Sequence, residues 1–157
     1  MIAVARAAEV PAESEAKFLG NTRQLTFEGK RSGEGYFSAD GKALIYAQEG
    51  RLYRFDLAAR SAAPINTGFA TRNNNDHVLS FDGRMQGISH HTAEDSGASI
   101  VYTLPSAGGT PKRVTAKGPS YLHGWSPDGR WLVYTGQRNN EFDVYKIPAT
   151  GGEEIRT

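Results

Sequence analysis

The sequence predicts an all-β fold made of repeated four-stranded sheets, and three observations carry this prediction. A Ser-x-Asp-Gly-Lys/Arg motif occurs three times in 157 residues. Each copy is followed by short apolar or alternating segments, the pattern of buried and half-buried strands. The chain also contains 18 glycines and 7 prolines, a frequency that suits many short strands joined by turns. Past Lys17 no window of eleven residues shows the 3.6-residue apolar period of a helix.

The repeated motif sets the size of the structural unit. Its copies begin 42 and 46 residues apart, and a period of about 40–45 residues is typical of one four-stranded blade of a β-propeller. The glycine supplies the positive φ that a tight turn between the first and second strands requires, and the serine can hydrogen-bond into that turn. The predicted turn residues are Ser38, Asp40 and Gly41, then Ser80, Asp82 and Gly83, then Ser126, Asp128 and Gly129.

The rest of each unit supplies the other strands. An apolar second strand follows each turn, and an alternating third strand is centred on Tyr53, Tyr102 or Tyr145. Gly-Gly pairs at 108–109 and 151–152 predict the next turn, and a short fourth strand ends each unit. The segment 21–157 is therefore predicted to be a partial β-propeller of three four-stranded antiparallel blades, at about 34–68, 76–116 and 122–157.

The first twenty residues are predicted to be a separate lead-in. Ala5-Arg6-Ala7 has the small-x-small form of a signal-peptidase site, which favours a clipped signal peptide. The alternative is an alanine-rich flexible tail. After this lead-in, Arg23-Gln24-Leu25-Thr26 matches Lys112-Arg113-Val114-Thr115, the fourth strand of the second unit. It predicts an N-terminal strand that closes the last blade of a ring.

Composition excludes several classes of function. The net charge is +1 and no basic stripe is present, so nucleic acid is not an expected partner. The chain has no cysteine, which excludes disulfides and thiolate metal sites. No apolar run approaches the roughly 20 residues that cross a bilayer. We found neither a Gly-x-Ser-x-Gly nucleophile motif nor a phosphate-binding glycine loop.

The repeated turn resembles that of the TolB-like propeller family, over roughly Asn21 to Thr157. The segments 67–77 and 118–125 resemble an exported bacterial subgroup of it. This resemblance implies a six-bladed ring, a periplasmic or otherwise exported location, and a protein or peptide partner. Ala39 and Phe81 depart from the family by replacing the usual proline of the turn, and the chain carries three blades only.

A candidate binding site lies where the innermost strands begin. His77 and His123 both precede the turn serine by three residues, a position expected near the central channel. We expect these side chains to bind a protein, peptide or saccharide at the channel mouth, without a cofactor. The expected ligand-binding residues are Arg72, Asn74, Asn75, Asp76, His77, Tyr121 and His123.

Alternatives to this binding site remain open. The same polar side chains could serve only to hydrogen-bond loops between blades, as Asn and Asp do in turns. His77 and His123 could instead hold a divalent metal ion, and the resemblance implies channel histidines in some polysaccharide lyases. A metal-assisted lyase or hydrolase is therefore the alternative function, and the propeller part of a longer peptidase is another. A second pair, His90-His91, is expected in a solvated loop.

The ends of such a segment predict self-association. Blades in a propeller pack face to face, and three blades leave the outer faces of the first and third without a neighbour. Two copies could therefore join into a six-bladed ring, or the three blades could be half of a longer ring.

Overall fold

Three four-stranded antiparallel sheets make up the computed structural model, which describes residues 17–157 and confirms the predicted all-β architecture. Blade one contains β1 (Ser32–Phe37), β2 (Ala43–Gln48), β3 (Arg51–Asp56) and β4 (Ser61–Pro64). Blade two contains β5 (Asn73–Leu79), β6 (Met85–His91), β7 (Ser99–Pro105) and β8 (Lys112–Arg113). Blade three contains β9 (Ser120–Trp125), β10 (Trp131–Arg138), β11 (Glu141–Pro148) and β12 (Ile155–Arg156). The leader-like stretch at 1–8 lies outside the described residues.

The structure has the helix content that the sequence predicts. Residues 17–157 contain no helix, and so none of them forms a helix able to cross a membrane.

The repeated motif forms one hydrogen-bonded turn in all three blades. In blade three the Ser126 Oγ donates to Asp128 Oδ1 at 2.6 Å and accepts the backbone N–H of Trp131 at 2.9 Å. The same Asp128 oxygen accepts the backbone N–H of Arg130 at 3.0 Å, and Gly129 has φ of 70°. Blades one and two repeat each contact. These bonds stabilise the charged carboxylate, and the Ser126 hydroxyl contributes most to lowering the pKa of Asp128 to about 2.

Neighbouring blades pack through one repeated pair of faces. In blade three the stacked rings of Tyr134 and Tyr145 join a buried cluster with Val101 and Val114 of blade two. In blade two the corresponding face, with Ile88 and Tyr102, packs against Leu52 and Ala47 of blade one. Blades two and three thus each turn this face, called the tyrosine face here, towards the blade that precedes them. In blade one this face carries the stacked pair Tyr46 and Tyr53.

The N-terminal segment covers the tyrosine face of blade one. Leu25 to Glu28 line a cavity with Tyr46 and Phe55, both of which are buried. The backbone carbonyl of Glu28 accepts a hydrogen bond from the Gln48 side chain at 2.7 Å. In the alignment of the repeats Leu25 corresponds to Val114, which packs in the same buried cluster as Tyr134.

The prediction of a strand at Arg23-Gln24-Leu25-Thr26 is wrong for this structure, where these residues have no regular secondary structure. A strand needs a ladder partner. In a ring that partner is the third strand of the preceding blade, which residues 17–157 do not contain.

The opposite end of the structure presents a bare sheet face. Trp131 and Val133 alternate with the buried Leu132, and so they point away from blade two. Beside them Phe142 and Val144 are 58% and 48% exposed. The corresponding faces of the other two blades are covered by a following blade, so blade three repeats a docking face that nothing in residues 17–157 covers.

Candidate functional site

A bulge interrupts the innermost strand of every blade. The pairing of β1 with β2 shifts between Gly33 and Tyr36, and that of β5 with β6 shifts between Asn73 and His77. In β9 the shift skips His123, because Leu122 and Gly124 pair with consecutive residues of β10. A bulge leaves residues without a ladder partner and re-aims their side chains. The candidate site is built on these three irregular stretches.

Side-chain hydrogen bonds stabilise the bulge of β5. The Asn74 side-chain oxygen accepts the backbone N–H of Asp76 at 2.9 Å, and its amide nitrogen donates to Asp76 Oδ2 at 2.9 Å. The backbone carbonyl of Asn75 lies 2.8 Å from His77 Nδ1. Asn74 and Asn75 therefore have a local structural role, which leaves Asp76 as the charged group that the bulge presents.

Charged groups of the other two blades act on the carboxylate of Asp76. Partial burial is the main cause that raises its pKa, and the neighbouring Glu34 carboxylate adds to the effect. The imidazole of His123 acts in the opposite direction and lowers the pKa of Asp76, because its positive charge favours the ionised carboxylate. Burial and the two carboxylates also raise the pKa of Tyr36. Residues of all three blades thus act on the Asp76 carboxylate. Glu34 is held from blade one by Tyr36, whose hydroxyl donates to it at 3.2 Å and whose ring packs on His77.

His77 and His123 occupy different environments despite their equal spacing from the turn. His77 is 2% exposed and packs edge-on against Tyr36, with ring centroids 5.2 Å apart. Its Nδ1 and Nε2 lie 2.8 Å and 3.5 Å from the main-chain carbonyls of Asn75 and Ile45, and burial lowers its pKa. His123 is exposed. The bulge at His123 makes Leu122, and not His123, the structural counterpart of His77.

Two other expected ligand-binding residues, Arg72 and Tyr121, are not among the groups that act on the Asp76 carboxylate. Arg72 is exposed, and its backbone bonds to the end of β6: its N–H donates to His90 Nδ1 and its carbonyl accepts the N–H of His91. Tyr121 is half-buried on β9 opposite Thr135.

The expectation that His90-His91 lies in a solvated loop is wrong, because both residues end β6. His90 is buried, and His91 places its Nδ1 2.9 Å from the carbonyl of Gly97.

An apolar cavity lies beside His123, and the sequence analysis did not assign it. Its volume is about 400 Å³, and it is lined in part by Tyr36, Phe37, Phe81 and His123. Phe37 and Phe81 are each 67% exposed, which is unusual for phenylalanine. The sequence feature that could have indicated this cavity is Phe81, which replaces the usual proline of the turn. We call these aromatic residues, with Glu34, Asp76 and His123, the inner-strand site.

Metal ligation has little support in this geometry. Within residues 17–157 no group of three or more His, Asp or Glu side chains is arranged to hold a metal ion. The two nitrogens of His77 face main-chain carbonyls, as described above. The inner-strand site instead combines carboxylates with exposed aromatic rings, an arrangement suited to binding.

The four-stranded repeats, their face-to-face packing and the inner-strand site define a partial β-propeller, and comparison with known proteins specifies its type. No family model matches the sequence. An uncharacterized protein of Agrobacterium fabrum is 47% identical over 121 residues, which are 76% of this chain and 41% of that protein.

Solved structures agree with this assignment. A protein assigned as TolB from Agrobacterium tumefaciens superposes with a TM-score of 0.79 and 43% identity over 85% of this chain and 48% of its own. TolB from Acinetobacter baumannii shares the fold, with a TM-score of 0.69 and 21% identity over 82% of this chain and 32% of its own. The chain is therefore three blades of a TolB-like β-propeller, and it spans about half the length, or less, of these relatives.

Proposed function

We propose that this chain is a non-catalytic TolB-like scaffold of the bacterial cell envelope, which binds an extended peptide segment of a partner protein at the inner-strand site. The observation that carries the proposal is the cavity lined by the exposed rings of Phe37 and Phe81. Two other lining residues connect it to carboxylates: the Tyr36 hydroxyl donates to Glu34 at 3.2 Å, and the charge of His123 acts on Asp76. Exposed apolar patches with a polar border mark interaction sites. The binding uses no cofactor.

The charge of the site specifies the chemistry of the peptide. A cationic side chain placed beside Asp76 and Glu34 relieves the repulsion between the two carboxylates, which is one cause of the raised pKa of Asp76. Apolar side chains of the same peptide cover Phe37 and Phe81. A peptide that alternates lysine and leucine satisfies both requirements, whereas glutamate in place of lysine adds a third negative charge.

The test uses two labelled peptides, acetyl-(Leu-Lys)₄-amide and acetyl-(Leu-Glu)₄-amide, in fluorescence anisotropy titrations. We expect binding of the lysine peptide only. Asp76→Asn should weaken it by at least about fivefold, because an exposed charge pair contributes up to about 1 kcal/mol and Asp76 is partly buried. Phe81→Pro should weaken it as well, and it preserves the turn because Pro127 holds the same place in blade three. Glu141→Gln, in an exposed hairpin, is the control.

Two results would contradict the proposal. One is equal affinity for the two peptides, and the other is an unchanged affinity in both Asp76→Asn and Phe81→Pro. The envelope location is proposed from the leader-like residues at the N-terminus and the TolB-like fold, and fractionation of cells that express the complete gene tests it.

The same proposal includes self-association. The bare face of blade three, with Trp131, Val133 and Val144, repeats the face through which blades one and two dock their neighbours. A further blade, from a second copy of the chain or from a longer chain, covers it in a ring.

A further inference from the structure

A second cavity lies far along the strands from the Asp-Gly turns, at the end where β6 leads into β7. Its volume is about 450 Å³. One wall comes from the connection between blades one and two, and the other from blade two itself. The lining residues that matter here are Phe69, His90, Glu94, Tyr102 and Arg113. We call this cavity the rim pocket.

Three aromatic rings form the floor of the rim pocket. The centroid of Phe69 lies 5.6 Å from that of Tyr102 and 6.0 Å from that of His90, and all three pairs meet edge-on. Tyr102 and His90 are buried, whereas Phe69 is 55% exposed. More than half of the Phe69 surface therefore stays accessible to a ligand, while its neighbours hold the ring from the buried side. The pocket therefore offers an aromatic surface of fixed shape.

The backbone around Phe69 holds that ring in place. The Thr67 hydroxyl donates a hydrogen bond to the carbonyl of Ala70 at 2.7 Å, and the Ala70 N–H donates one to the carbonyl of Thr67 at 3.0 Å. Gly68 has φ of 55°, and Ala70 is fully buried. An exposed phenylalanine on such a tight, anchored turn loses little conformational entropy on binding.

His90 is a neutral hydrogen-bond donor in this pocket. The backbone N–H of Arg72 donates to His90 Nδ1 at 3.2 Å, so that nitrogen carries no proton and Nε2 does. Burial favours this neutral form by lowering the pKa of His90. Within residues 17–157 the His90 ring bonds only through Nδ1 and the Tyr102 hydroxyl has no protein partner, so both groups are uncommitted on the pocket that they line. The pocket thus has two neutral donors for an acceptor on a ligand.

The two charged side chains considered at the border of the rim pocket, Arg113 and Glu94, differ in whether their charge is compensated. Arg113 binds the Asp95 carboxylate through two hydrogen bonds of 2.9 and 2.8 Å, and it also donates to the carbonyls of Thr115 and Ala116. Its charge is therefore compensated. Glu94 is exposed and has no such partner within residues 17–157, so its carboxylate is the uncompensated charge on the lining of the pocket. The exposed Arg72, whose positive charge helps to lower the pKa of His90, is not one of the lining residues.

We propose that the rim pocket binds a proline residue within an extended peptide segment that carries arginine or lysine next to that proline. An aromatic-lined groove accepts the flat proline ring, which pays little entropy because its φ is already fixed. The neutral donors of His90 and Tyr102 bind the electron-rich carbonyl that precedes the proline. The exposed Glu94 carboxylate attracts the basic neighbour. A saccharide would need more polar groups than these two donors and the Glu94 carboxylate, because the other polar side chains at the pocket are already bonded to one another or to the backbone: Arg113, Asp95 and Thr92.

The test titrates labelled acetyl-Pro-Pro-Arg-Pro-Pro-amide into the protein and follows fluorescence anisotropy. The matched probe is acetyl-Ala-Ala-Arg-Ala-Ala-amide. We expect the proline peptide to bind at least about tenfold more tightly than the alanine peptide. Phe69→Ala should abolish this difference. Glu94→Gln should reduce the preference for arginine over norleucine at the central position, and it changes only an exposed side chain.

An exposed phenylalanine of blade three, Phe142, provides the control. Phe142→Ala removes an equally exposed ring from blade three, and it should leave the affinity unchanged. Thermal unfolding of each variant shows whether the fold persists. Equal affinity for the two probes overturns the proposal, and so does binding that Phe69→Ala and Glu94→Gln both leave intact. Binding of maltohexaose at Phe69, with none of the proline peptide, assigns the pocket to a saccharide instead.

Discussion

Gln86 should lower the stability of the propeller, because its buried amide has no hydrogen-bond partner. The residue is fully buried on β6, and within residues 17–157 neither its Oε1 nor its Nε2 is bonded. Its neighbour across the sheet is the buried Leu104. The other two blades have Leu44 and Leu132 at the same repeat position.

Replacing this amide by an apolar side chain should therefore be stabilising. An unsatisfied buried donor or acceptor costs about 1–3 kcal/mol. We expect Gln86→Leu to raise the free energy of unfolding by about 2 kcal/mol, allowing for imperfect packing of the branched side chain. A chain of this size gains roughly 2–4 °C in Tm per kcal/mol, so the expected rise is roughly 4–8 °C. Gln86→Met, which keeps an unbranched side chain, should behave similarly.

Urea denaturation and calorimetry measure this effect, and the repeat supplies the control. Leu132→Gln makes the reverse exchange at the same position of blade three, where Leu132 is fully buried, and it should destabilise the protein. Gln86→Leu and Gln86→Met proteins no more stable than the parent would refute the argument, since they would show that the amide is satisfied in solution.

Two further predictions concern blade three. The pKa of Glu154 is lowered to about 2 from 4.5, mainly by its hydrogen bonds from Arg138; its stabilising effect is therefore complete above pH 4.5 and is lost as the pH falls towards 2. Parent and Glu154→Gln proteins should differ in urea stability at pH 7 and converge near pH 2, and a difference independent of pH would count against this ion pair. Light scattering should give a mass above the 17.1 kDa of one chain, and Val144→Lys on the bare face should reduce it. A stable monomeric parent would exclude self-association through that face.

The blades could be predicted from the sequence because each repeats the same local chemistry. The turn at Ser126 depends on residues within five positions of each other, so its pattern is visible along the chain. The hairpin at Asn139-Asn140 is equally local, and both residues adopt the positive φ that such a turn requires.

The candidate site was less predictable because bulges change the alignment of the strands. His77 and His123 lie at the same distance along the sequence from the turn serine. The bulge in β9 nevertheless gives them different positions in their blades, because Leu122 and not His123 pairs as His77 does. Glu34 contributes to the site from a third blade, and its position there depends on the bulge in β1. No periodicity in the sequence indicates where a bulge falls.

The strand predicted at Arg23-Gln24-Leu25-Thr26 failed for a different reason. Its sequence matches a fourth strand, and Leu25 lines a cavity together with Tyr46. The ladder itself needs a partner strand, and that is a property of the assembly and not of the segment.

The closed hydrogen bonding of the Ser-x-Asp-Gly turns has a consequence for how the chain folds. Every contact in these turns joins residues at most five positions apart. Closing such short loops takes little time and loses little chain entropy. Three separate hairpins can therefore start folding independently, each before any blade meets its neighbour. During synthesis one such hairpin would become available about every 42 to 46 residues. The slower step would be the packing of each tyrosine face against the blade that was synthesised before it.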